Sequence, residues 1–129
     1  MSNENLLHLA QDLEWLGCEL EFVGKQHAHE GFPEQGPTWG LFLAKQRGVL
    51  VTADKVDREL KNLVRYNPGS VVGVEYPLAA ALDSIVMLLA EVEEIKQCAR
   101  MSVQELPPKV RNFTKMVNEY MAAESSLAR

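Results

Sequence analysis

Residues 76–101, YPLAAALDSIVMLLAEVEEIKQCARM, form the longest apolar run in the chain, and they limit its fold more than any other stretch. Between Leu78 and Ala90 only Asp83 and Ser84 are polar, so a helix here is apolar around most of its circumference. The apolar part covers about thirteen residues before passing into the charged EVEEIKQ, short of the roughly 20 that cross a bilayer. It reads as the core helix of a globular domain, with Pro77 at its first position. Asp83 shares a face with Ala80, Met87, Ala90 and Glu94, which reads as the solvent side.

Such a helix needs neighbours, and the chain supplies them. From residue 4 to 28, Leu6, Leu9, Leu13, Leu16, Leu20, Val23 and His27 recur at alternating spacings of three and four, a heptad seam. Trp15, Cys18 and Phe22 follow the same alternation, but at about 100° per residue they point away from the leucines. This helix therefore has two apolar faces. If the seam packs on the core helix, the Trp15 face must be covered by the loop that follows, with Phe32 folded back on Trp15, or by another subunit. Near the other end of the chain, Leu106, Val110, Phe113, Val117 and Tyr120 form a second seam at spacings of four and three. Pro107-Pro108 suits the start of that helix, Ser102-Val103-Gln104-Glu105 has the pattern of a capping box, and the helix frays at Glu124-Ser125-Ser126.

The middle third is less regular. GFPEQGPT, residues 31–38, holds two Gly and two Pro and reads as a loop. For residues 38–51 two readings compete: a short helix capped by Thr38 and ending at Gly48, or a β-hairpin around Gln46-Arg47-Gly48. The β-branched Val49 and Val51 favour the hairpin. Thr52 then caps a helix over 53–66, with Asp54 in its first turn and Val56, Leu60, Leu63 and Val64 facing inward. Asn67-Pro68-Gly69 stops it, and Ser70 to Tyr76 reads as a short strand. The expected fold is mainly α, an α+β domain with minor β: a bundle of three long helices, a shorter helix and a short hairpin, in a single domain spanning 1–129.

Composition narrows the function classes. With 47% apolar and 24% charged residues in 129, the chain has a globular balance and room for one core. A net charge of −5 opposes non-specific attraction to nucleic acid and anionic membrane. The N-terminus lacks the basic and apolar segments of a signal peptide, which points to the cytoplasm. In that setting Cys18 and Cys98, distant and unpaired in spacing, are packed thiols, and the Asn112-Phe113-Thr114 sequon carries no meaning.

Candidate chemistry is sparse. Asp54/Asp57 and Glu91/Glu94 each put two acids on one helix face, the arrangement by which helical hydrolases hold Mg²⁺. Eighteen acids in the chain, however, produce such pairs by chance. His27 and His29 lie two apart, which on a helix points them in different directions and prevents a shared metal; His8 stands alone. Neither cysteine sits in a nucleophile elbow, and Gly36, Gly40 and Gly48 form no phosphate loop. No cofactor is expected.

Charge distribution is the feature that remains. Residues 1–34 carry seven acids against Lys25, whereas residues 45–65 carry six bases against three acids. Lys55, Arg58, Lys61 and Arg65 line one side of the 53–66 helix, either as a solvated face or set against the acidic first helix, within a subunit or across an interface. The expected function is that of a non-enzymatic adaptor, inhibitor or assembly factor with a protein partner, self-associating as a homodimer through exposed helix faces. Its expected contact residues are Trp15, Cys18, Phe22, Lys55, Arg58, Lys61 and Arg65. A Mg²⁺-dependent phosphate-ester hydrolase is the alternative, and a nucleic-acid-contacting accessory protein the third reading.

Overall fold

A computed structural model describes residues 2–29, 36–66 and 75–127. They form four long helices: α1 (Ser2–His29), α2 (Pro37–Tyr66), α3 (Glu75–Met101) and α4 (Leu106–Leu127), with a 3-10 turn at Val103–Glu105 before α4. α1 packs on α2 and α4, and α3 packs on the same two, so the helices stand at the corners of a square. Cross-contacts fix the directions. Gly48 faces Leu16, the Thr114 hydroxyl donates to the Ala10 carbonyl at 3.3 Å, and Lys96 pairs with Asp54 at 2.8 Å; each neighbouring pair runs antiparallel. This is an up-down-up-down bundle, in which each helix turns one apolar stripe to a shared core.

The two seams at the ends of the chain are where their spacing places them. Leu6, Leu13, Leu20, Val23 and His27 are buried on α1, and Leu106, Val110, Phe113, Val117 and Tyr120 are buried on α4. Between them α3 contributes Ile85, Leu88, Val92, Ile95 and Ala99. The apolar run does enter the core, but α3 is one corner of four rather than the middle of the domain. Its outward Val86 and Met87 are 61% and 62% exposed. As expected, Asp83, Ala90 and Glu94 face solvent.

The middle third departs from expectation. Among the described residues there is no strand and no hairpin at 38–51: α2 continues through Gly48 to Tyr66 as one helix. Its seam reads Phe42, Gln46, Val49, Ala53, Val56, Leu60 and Leu63, again alternating four and three. Gln46 hides the pattern because it is polar, yet its amide donates to the Ala99 carbonyl of α3 at 2.9 Å and so belongs at the α2–α3 contact. Packing on both neighbours outweighs the strand preference of Val49 and Val51 and the roughly 1 kcal/mol that a mid-helix Gly costs. Thr52 and Asp54 consequently lie inside α2 instead of capping it. The true start is Gly36, whose carbonyl accepts the Trp39 amide at 3.1 Å, with Pro37 as the first helical residue. Nor does Ser102 form a capping box: its side chain makes no cap bond, although its carbonyl accepts the Glu105 amide at 2.9 Å. The Phe32 contact and the strand over 70–74 lie outside the described residues, while Glu75 and Tyr76 open α3.

Candidate interaction surface

Among the described residues, nothing covers the second apolar face of α1. Trp15 and Phe22, two turns apart, are 59% and 58% exposed, with the half-buried Cys18 and Glu19 between them lining a shallow hollow. Their exposure follows from the register: Leu13, Leu16 and Leu20 point inward against α2 and α4, so residues about half a turn away must point outward. Two basic residues from the neighbouring helices frame the strip. The Lys45 ammonium of α2 lies 4.8 Å from the Trp15 ring centre, a cation–π contact, and the Arg111 guanidinium of α4 points at the Cys18 sulfur from 3.7 Å. The general basicity of 45–65 included Lys45 without hinting at this contact, and nothing in the sequence pointed to Arg111.

The expected basic face is also present. Lys55, Arg58 and Lys61 lie exposed on the outer side of α2, with Lys61 paired to Asp57 at 2.7 Å; the Arg65 side chain falls outside the described residues. This run is level with the first turns of α1, whereas Trp15 is level with residues 47–51, so the two sets are neighbours on one side of the bundle and do not merge into one patch. No ion pair joins α1 to α2 among the described residues. Of the α1 acids only Glu21 forms an ion pair among the described residues, with Lys25 on its own helix.

The carboxylate pairs do not converge. Asp54 is drawn to Lys96 on α3, whose hydrogen bond holds its carboxyl below the usual range; in return Asp54, with Glu93, pushes the Lys96 ammonium up. Glu91 and Glu94 share Lys109 of α4, at 3.9 and 2.8 Å. The hydrogen bond from Lys109 pulls Glu94 down, whereas burial pushes Glu91 up. Each acid of the expected pairs thus has a lysine, and no group of three metal-ligating side chains occurs among the described residues. Burial likewise raises the Cys98 thiol and makes it a poor nucleophile.

His27 closes the α1 seam as expected, buried against Trp39 and Phe42 with ring centres 5.1 and 6.1 Å away. These rings, Gly24 and Val103 line a hollow of about 390 Å³ at one end of the bundle, apolar apart from its rim. Nothing in the sequence pointed to this hollow. No described helix is long and apolar enough to cross a membrane. Compared with known proteins, the chain matches no family model, no curated protein and no solved structure.

Proposed function

We propose that the chain is a non-enzymatic interaction protein, an adaptor, inhibitor or assembly factor, that docks on its partner through the outer face of α1. The observation that carries this reading is the pair Trp15 and Phe22, more than half exposed on a helix whose opposite face is fully buried. Single exposed apolar residues are ordinary, but two large aromatics in line, framed by Lys45 and Arg111, have the composition of an interface centre with a charged rim. Covering them contributes about 1.5–3 kcal/mol each before association costs. The hydrolase is the second reading: the acids it needs, Asp54, Asp57 and Glu94, are paired with Lys96, Lys61 and Lys109.

The test is affinity capture from the source cells with two baits, the native chain and Trp15→Ala/Phe22→Ala, each checked by circular dichroism. Specific partners retained by the first bait and lost by the second are the expected result; identical partner sets would remove α1 from the account. In parallel, millimolar Mg²⁺ is expected to leave the melting temperature unchanged. A rise of several degrees, lost in Glu94→Gln, would return the hydrolase to first place.

A further inference from the structure

The face proposed above lies beside a surface of opposite charge on the same chain, and this juxtaposition identifies an occupant. The outer side of α1 presents Trp15 and Phe22 among the acids Asp12 and Glu19, which pair with no base among the described residues, with the Lys45 ammonium of the same chain lying over the Trp15 ring. The outer side of α2, next to it in the bundle, presents the exposed Val51 among Arg47, Lys55 and Arg58, with the small, exposed Gly40 and Ala44 at its end. At Gly40 nothing lies within 4 Å of where a Cβ would project. The two sides run antiparallel and level with each other, so Trp15 stands at the height of Arg47 and Val51, and Phe22 at the height of Gly40 and Ala44.

Resting on the interaction reading, we infer that the partner at this face is a second copy of the chain, with a two-fold axis parallel to the helices placing α1 of each copy on α2 of the other. A rotation about that direction keeps every residue at its height and exchanges the two helices, so the acidic aromatic strip meets the basic strip twice, once in each direction, and the contact closes on itself. Phe22 then enters the space left by Gly40 and Ala44 of the partner subunit, while Asp12 and Glu19 face the basic strip. The alternative two-fold, α1 on α1, sets Glu19 against its own copy and stacks two acidic helices, an arrangement that like charges oppose. Two helices lying about 10 Å apart, in common for roughly 38 Å of rise, offer several hundred Å² per subunit, more than α1 provides alone and near the size of a specific contact.

Charge reversal in the full-length chain tests both the occupant and the axis. Asp12→Lys/Glu19→Lys makes both strips basic, and Arg47→Glu/Lys55→Glu makes both acidic. Sedimentation of the native chain is expected to show a dimer that weakens as salt rises. Each reversed variant alone is expected to dimerise at least about tenfold more weakly, and an equimolar mixture of the two to recover a dimer containing one of each. Circular dichroism confirms that both variants fold, since the four positions lie on the outer surface. A native chain that stays monomeric at high micromolar concentration would overturn the second copy, while the capture experiment judges the interaction reading by itself. An Arg47→Glu/Lys55→Glu chain that dimerises like the native one, or a mixture that stays monomeric, would overturn the α1-on-α2 geometry.

Discussion

Gly17 and Gly48 both lie inside continuous helices, yet their surroundings predict opposite responses to the same substitution. A Cβ on Gly17 would meet the two Val110 methyls at 3.0 and 3.1 Å and Leu106 at 3.3 Å, so α1 and α4 approach closely there because the side chain is missing. On Gly48 the nearest atom would be a Leu16 methyl at 3.5 Å, an ordinary contact. Gly48→Ala should therefore stabilise the chain by about 0.5–1 kcal/mol through helix propensity. Gly17→Ala should gain nothing or lose stability, because branched Val110 has little freedom to retreat. Urea unfolding of both variants checks the pair, and a clear stabilisation by Gly17→Ala would contradict the close approach. Glu91 offers a second test at this scale. Its folded pKa is raised by burial, so its ionised form costs stability at neutral pH, and that cost disappears as pH falls through the folded value towards the unfolded one. Glu91→Gln is expected to raise the melting temperature at pH 7 by about 1–3 °C relative to the native chain, with the advantage shrinking as the pH is lowered through the folded pKa of Glu91. An advantage that grows on acidification would mean that Glu91 is stabilised as a carboxylate.

At the scale of the element, α1 separates the two kinds of apolar residue most sharply. Leu13→Ala and Leu20→Ala remove fully buried side chains and should each cost about 2–5 kcal/mol. Trp15→Ala should leave the monomer's unfolding free energy within about 1 kcal/mol, measured at concentrations too low for association. A Trp15→Ala cost equal to that of Leu13→Ala would show that Trp15 is a core residue. The α1 and α4 seams could be read from sequence because nothing polar interrupts their inward positions. α2 could not, because Gln46 occupies a seam position and is satisfied only by a carbonyl from another helix, while Gly48, Val49 and Val51 each prefer something other than helix. Local preference pointed to a hairpin, and contacts more than fifty residues away decided otherwise.

For the whole molecule, the helical bundle was legible, but its square arrangement was not. A run apolar around most of a helix suggested a centre, yet four helices of similar length leave no central position, and Val86 faces outward beside Met87, which was expected on the solvent side. The candidate surface was half legible. The heptad geometry was sufficient to turn Trp15 and Phe22 away from the core, whereas the framing by Lys45 and Arg111 depends on how α2 and α4 flank α1. Cys18, lying between the two aromatics, allows a direct test that does not require knowing the partner, and the buried Cys98 serves as an internal control. The measurement is the rate of maleimide labelling at Cys18, compared between the dilute purified chain and the same chain at native abundance in fresh source-cell extract. If the outer face of α1 is a docking surface, labelling is expected to be several-fold slower in extract, with the protection lost in Trp15→Ala/Phe22→Ala. Equal rates for the native chain in both settings would show that face to be bare and contradict the account.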